Sequence, residues 1–219
     1  MARYLTNVVI ATDDERILQA ASLFGARAVM TRPDHVSGTD RAAEAASTSN
    51  AEIVVNIQGD EPLIDPAAID AAVLGLLDDE DAPMGTLSKR IDRPGDIVDP
   101  NVVKVVTDAR GHAIYFSRTA IPYHCDAGAQ AVYFKHIGLY VYRRDFLLAY
   151  STLPAGPLER AERLEQLRAL ENGYKIRVVE TEYDSLGVDT PEDWKRINEM
   201  FERASPIPTP PPISTMVPG

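Results

Sequence analysis

A single cysteine, Cys125, in 219 residues leaves no partner for a disulfide within the chain and fits a reducing, cytoplasmic setting. Positive charge is also scarce: 22 Lys and Arg against 33 Asp and Glu give a net charge of −11. Such a chain does not bind nucleic acid by bulk electrostatics, although a local basic pocket can still hold a nucleotide. No apolar run approaches the length of a membrane span, and the first residues lack the basic stretch and apolar core of a signal peptide. There are no internal repeats, no intact Gly-x-Gly-x-x-Gly or Walker loop, no Cys/His spacing for zinc and no Gly-x-Ser-x-Gly elbow. What is present is an ordinary globular balance, 45% hydrophobic and 25% charged, with length for one sizeable core.

The first 80 or so residues alternate strand and helix. Asn7–Thr12, Ala28–Thr31 and Ile53–Ile57 are short β-branched runs that read as buried strands. Asp13-Asp14-Glu15 opens a helix that Gly25 ends, Thr39 or Asp40 caps the Ala-rich stretch Arg41–Ala46, and Pro66 opens a helix through Leu77. This alternation predicts an α/β fold with a mostly parallel sheet and helices on both faces. Between about residues 84 and 143 strands follow one another without helices, at Met84–Ile91, Val102–Asp108, His112–Arg118 and His136–Arg143, which predicts an antiparallel insert. Helices are expected again at Asp145–Tyr150 and Leu158–Asn172, a strand at Lys175–Thr181, and a helix from Thr190-Pro191 to about Arg203. Residues 1–204 therefore read as one domain, and the six prolines within 205–219 read as a disordered tail of polyproline character.

Three loops following strands carry candidate chemistry. Gln58-Gly59-Asp60-Glu61-Pro62 sits where α/β sheets bind ligands, and Asp60 could hold Mg²⁺ against phosphate oxygens; a polar turn capping the next helix explains it equally well. Arg32-Pro33-Asp34-His35-Val36-Ser37-Gly38-Thr39-Asp40-Arg41 offers hydroxyls, an imidazole and two guanidiniums at a helix start, either as an anion site or as a solvated cap. Asp189 lies in a third such loop, commonly a capping segment, where it could face Asp60 across one crevice. In the middle of the chain Lys104 lies within an apolar strand, which points to a specific partner. Tyr115 and Ser117 share a strand face, and Arg118, His136 and Tyr140 are near them in sequence; a structural histidine explains His136 as well as a ligand does. Glu162 and Gln166 are four apart on the expected helix over 158–172, which also carries Glu165 and Arg168; a solvated face is the ordinary reading of this spacing, and a contact to a substrate hydroxyl the sharper one. Cys125 has no matched base and is not expected to act as a nucleophile.

The segments Val9–Asp13, Met30–Arg41, Val55–Pro62, Tyr115–Arg118, His136–Tyr140, Leu164–Arg168 and Gly187–Asp193 occur in one order. Together they strongly resemble the 3-deoxy-manno-octulosonate (Kdo) cytidylyltransferases of lipopolysaccharide assembly, across about residues 5–203. The His35-Val36-Ser37-Gly38-Thr39 loop and Leu164-Glu165-Gln166-Leu167-Arg168 favour this branch over the sialate cytidylyltransferases. The resemblance implies a Rossmann-like nucleotide-diphospho-sugar transferase fold and transfer of CMP from CTP to Kdo, with pyrophosphate leaving. It implies Mg²⁺ held by Asp60 and Asp189, which are expected to be catalytic, as is Lys104. It places the nucleotide at Arg32, His35, Ser37, Gly38, Thr39, Gln58 and Gly59, and the sugar at Tyr115, Arg118, His136, Tyr140, Glu165 and Gln166. A homodimer is expected through the antiparallel insert.

Members of that family begin with a strand and a loop of the type Ile-Pro-Ala-Arg-x-x-Ser-x-Arg-x-Pro-x-Lys, which cradles the triphosphate. The present sequence begins near the end of the helix that follows it. The resemblance therefore implies that the first central strand is missing, and a late-assigned start is the expected reason, since the downstream motifs are intact. Loss of that loop is expected to cost activity, because the phosphates lose preorganised partners. Other readings are a cytidylyltransferase for a related acid sugar such as an 8-amino Kdo analogue, a non-catalytic remnant that binds sugar or dimerises, and a regulatory nucleotide-binding module.

Overall fold

The computed structural model describes residues 2–125, 131–184, 187, 188 and 190–204. The Pro-rich segment 205–219 and Asp189 lie outside the described residues.

The chain order is β1 (Ile10–Thr12), α1 (Glu15–Leu23), β2 (Ala28–Met30), α2 (Gly38–Ser47), β3 (Ile53–Asn56), α3 (Pro66–Leu77), β4 (Met84–Arg90), α4 (Pro94–Val98), β5 (Lys104–Thr107), β6 (Ala113–Ser117), β7 (Phe134–Arg143), α5 (Arg144–Tyr150), α6 (Pro157–Glu162), α7 (Leu167–Glu171), β8 (Ile176–Glu180) and α8 (Pro191–Ala204). The expected α/β alternation is present, with a mixed sheet. β1 pairs in parallel with β2, and β4 with β8, whereas β7 runs against β3, β4 and β5. The reason is β7 itself. Its ten residues lie between β3 and β4, and they reverse the direction of the sheet's centre. β4 and β7 are thus central strands, and the β5–β6 hairpin extends the sheet from them.

β7 has β4 along one edge. Its other edge is shared: β5 pairs with Phe134 and Lys135, and β3 pairs with Tyr140–Arg143. Between them the ladder parts, and opposite this gap the register with β4 slips at Thr86/Leu87. The two faces of the sheet bury different cores. Ile137, Leu139 and Val141 pack with Ile69, Val73 and Leu76 of α3. Phe116 and Tyr142 pack on the other side with Ala43 and Ala46 of α2, Leu147 and Tyr150 of α5 and Leu167 of α7. No ladder joins β1 to β3 among the described residues; α2 packs against both, and Val8, Val9 and Ile10 are exposed.

Three expectations about helices change. The cap of α2 is Ser37, not Thr39 or Asp40, because its side chain accepts the Asp40 N–H and the helix starts at Gly38. The single helix expected over 158–172 is two, α6 and α7, broken where Arg163 turns to φ 53°. Glu162 and Gln166 therefore do not share a helix face. Pro94 opens a short helix, α4, that the strand pattern had not suggested.

Candidate active site

β3 and β4 both run against β7, and β8 runs with β4, so the carboxyl ends of β3, β4 and β8 meet at one edge of the sheet. Asp60 lies just past β3 and is exposed. The Val188 N–H donates to the Asp60 carbonyl at 2.9 Å, and Tyr183 Oη donates to Glu61 Oε2 at 3.1 Å. These bonds bring the segment after β8 onto the Asp60 loop. The same segment is held from below: Lys89 Nζ donates to the Glu182 carbonyl at 3.0 Å, and both Lys89 and Lys135 pair with Asp184. Burial pushes the Asp184 carboxyl up, but these ammonium groups outweigh it and hold it below the usual range.

The α2 entrance forms the next wall. The Ser37 hydroxyl has one proton, offered to Asp40 Oδ2 at 3.0 Å or Glu165 Oε1 at 2.9 Å. Gly38 lets Gln58 approach, since a Cβ there would stand 3.3 Å from Gln58 Oε1. Thr39 is buried, and its hydroxyl acts to lower the pKa of both Tyr142 and Glu165. Burial lifts the Glu165 carboxyl above its ordinary range, against the hydrogen bonds from Ser37 and Thr39. Arg32 and His35 stand further out: the Arg32 N–H donates to Glu44 Oε2 at 3.2 Å, and the His35 ring bonds the same carboxylate. Gly59 is exposed beside Asp60.

Aromatic rings line the parted ladder of β7. The His136 centroid is 5.1 Å from Phe116 and 5.4 Å from Tyr140, which stacks on Tyr142 at 6.0 Å. Burial pushes the His136 imidazole down to about 3 and raises the Tyr140 phenol. His136 is neutral at pH 7, and its tautomer follows from Thr86. The Thr86 hydroxyl faces the Ile137 and Leu139 carbonyls at 3.1 and 2.8 Å, and these can only accept its proton. The 2.9 Å contact from His136 Nε2 must then be a donation to Thr86 Oγ1, which leaves Nδ1 as an acceptor.

Tyr115 and Arg118 gather around Glu162, a residue the sequence placed on a solvated face. Ser117 Oγ donates to its carboxylate at 2.6 Å, the Arg118 N–H at 3.0 Å and Tyr115 Oη at 3.4 Å. Burial opposes ionisation of Glu162, and the donors from Arg118, Ser117 and Tyr115 overcome it, leaving its pKa lowered. The sequence showed that Tyr115 and Ser117 share a strand face, but nothing in it pointed to Glu162 as their common acceptor.

Lys104 requires a correction. Its side chain is fully buried, and its ammonium donates to the carbonyls of Asp99, Val102 and Arg118 at 2.8, 2.5 and 2.6 Å. All three protons are committed to backbone carbonyls, so it ties the turn before β5 to the end of β6 and does not face a phosphate. Cys125 is exposed, as a free thiol.

Two amides complete the picture. Gln166 is only 4% exposed, yet its Nε2 has no hydrogen-bond partner, and neither does the buried Asn56 Nδ2. Among the described residues no three His, Cys, Asp or Glu side chains are grouped to hold a metal. Mg²⁺ typically uses only one or two carboxylates together with phosphate oxygens, a demand that an exposed carboxylate such as Asp60 suits. No helix of the described residues is long and apolar enough to cross a membrane.

The family model described as cytidylyltransferase matches residues 2–176. A 3-deoxy-manno-octulosonate cytidylyltransferase of Solibacter usitatus is 71% identical over 202 residues, covering 92% of this chain and 80% of that protein. The Geobacter sulfurreducens protein of the same name is 53% identical over 211 residues, covering 92% and 84%. A solved CMP:2-keto-3-deoxy-manno-octonic acid synthetase, complexed with CTP, superposes with TM-score 0.88 at 42% identity, covering 94% of this chain and 84% of the other. An inositol-1-phosphate CTP transferase from T. maritima, TM-score 0.58 at 14% identity with coverage of 90% and 75%, shares the fold alone.

Proposed function

The chain belongs to the cytidylyltransferase family, and from that premise we propose that it transfers CMP from CTP to Kdo, giving CMP-Kdo and pyrophosphate. The observation that carries this reading is the 71% identity to a relative bearing that enzyme's name. The CTP complex of a 42% identical protein supports the nucleotide. Neither an 8-amino analogue nor a non-catalytic remnant is favoured by these relatives.

In the reaction the anomeric hydroxyl of the sugar attacks the α-phosphorus, a C–O–P bond forms, the bond to the β-phosphate oxygen breaks, and the hydroxyl proton is lost. The α2 entrance, with Ser37, Gly38, Thr39 and Gln58, faces the cytidine part, and Gly59 allows close approach beside Asp60. Arg32 and His35, steered by Glu44, border the same part. The neutral Nδ1 of His136, the Tyr140 hydroxyl, Glu165 and Gln166 orient the sugar, and the Glu162 cluster holds Tyr115 and Arg118 beside it. Mg²⁺ would be held by Asp60 and Asp189, where it would neutralise triphosphate charge in the in-line displacement. Residue 188 already bonds the Asp60 backbone, which supports that pairing. A homodimer, a cytoplasmic location and a place in lipopolysaccharide biosynthesis complete the proposal.

The test is pyrophosphate release by the chain with CTP, Mg²⁺ and Kdo. Release is expected only when both substrates are present. Release without any sugar would overturn the transfer, and release with another acid sugar in place of Kdo would overturn the acceptor.

A further inference from the structure

Asn56 carries a role that neither its motif nor the reaction above assigns. Along β3 the side chains alternate. Ile53, Val55 and Ile57 pack toward α3, whereas Val54 packs into the core beneath α2. Asn56 therefore projects to the α2 side, the side of Gln58, two residues on. Its strand neighbour on β7 is Tyr140. Asn56 thus stands beside Tyr140, on the side of the α2 entrance where Ser37 bonds Glu165, with its Nδ2 buried and without an acceptor. A buried amide donor left unmade costs about 1–3 kcal/mol. Gln166 Nε2, on the residue after Glu165, has the same deficit. Orphaned donors on β3 and next to Glu165 in the chain are what a site has before an acceptor-rich ligand fills it.

We infer that the Asn56 side-chain amide is a specificity-determining donor to a hydroxyl oxygen of the sugar. The neighbouring Glu165 carboxylate selects a hydroxyl over the sugar's own carboxylate. A hydroxyl accepts from Asn56 and can pass its proton to Glu165, whereas a second carboxylate would meet like charge. The inference deepens the function proposed above and rests on it.

The test titrates Kdo and, separately, CTP into the full chain, into Asn56→Leu and into Asn56→Asp, with thermal unfolding of each unliganded protein. Leu removes the donor; Asp keeps the shape and replaces the donor with an acceptor. Kdo affinity is expected to fall about tenfold or more in both variants, the size of one hydrogen bond to a buried polar group, with CTP affinity unchanged. Asn56→Leu is expected to unfold at the wild-type temperature or above, because the orphaned group is gone. The inference is overturned if both variants keep wild-type Kdo affinity, if Asp binds Kdo as well as Asn does, or if CTP affinity falls instead. It is also overturned if Asn56→Leu unfolds at a lower temperature while Kdo affinity holds, which would make Asn56 structural. If the wild-type chain itself binds no Kdo, the proposed function fails and takes this inference with it; if only the variants are indifferent, the inference alone fails.

Discussion

At the residue scale, the fate of a polar group depends on whether its partners are already in the protein. Lys104 and Asn56 are opposite cases. Lys104 has three carbonyl acceptors within the fold. Replacing it by Met leaves those carbonyls unpaired, and Lys104→Met is expected to lower stability by about 3 kcal/mol, read as a shift in the urea midpoint at unchanged slope. His136 is a third case, since its useful atom is set by a neighbour. Thr86→Val removes the oxygen that accepts from Nε2 and leaves the imidazole free to change tautomer. The expected result is a rise of roughly fivefold in KM for Kdo, about 1 kcal/mol, with KM for CTP unchanged. An equal rise for both substrates would place Thr86 in general packing instead.

At the element scale, helix ends and breaks do more for the site than helix interiors. Ser37 ends the loop before α2, caps that helix and reaches Glu165 across 128 positions of sequence. Ser37→Ala is expected to cost about 1 kcal/mol of stability through the cap alone. It should also weaken Kdo binding through Glu165, a pair of effects that thermal melts and titration separate. The break between α6 and α7 releases Glu162 toward β6 and Gln166 toward the core, and an unbroken helix could not aim both. Arg163 holds the break in a left-handed conformation that costs a non-glycine residue about 1 kcal/mol. Arg163→Gly is therefore expected to leave stability unchanged or slightly raised, with pyrophosphate release intact. A large loss would show that the Arg163 side chain, and not its backbone, makes the turn.

At the scale of the whole molecule, charge makes acid stability the informative measurement. Asp79, beside buried His112, is pushed up by burial, but its bonds to His112 and nearby backbone donors leave it lowered. Glu44, bonded by His35, is held low as well, and so is Asp184. A carboxyl lowered by folding contributes stability above its unfolded pKa and loses it as pH falls through the folded value. His136 acts earlier. The unfolded imidazole protonates near 6.5 and the folded one near 3, so the unfolded chain binds more protons between these values and stability falls from pH 6.5 downward. Melting temperature is expected to decline from about pH 6.5, then more steeply below about pH 5 as the carboxylates follow. His136→Gln should remove the first limb and keep the second; a wild-type curve flat down to pH 5 would refute the buried neutral histidine.

The sequence by itself determined much of this protein. Short β-branched runs, Pro-opened helices and ordered motifs marked the elements and the family, because these signals are local and repeat within a few residues. The strand-end position of Asp60 and the loop before α2 were legible for the same reason. Tertiary structure decided what depends on contacts far apart in the chain. It turned an expected insert into the centre of a mixed sheet, because β7 pairs with strands on both sides of it. It broke the 158–172 helix, whose amphipathic spacing carries no trace of a left-handed residue. It consumed Lys104 in carbonyls that lie up to 14 positions away and left Asn56 without any. Periodicity reports which face a side chain takes; only the packed fold reports whether a partner is waiting there.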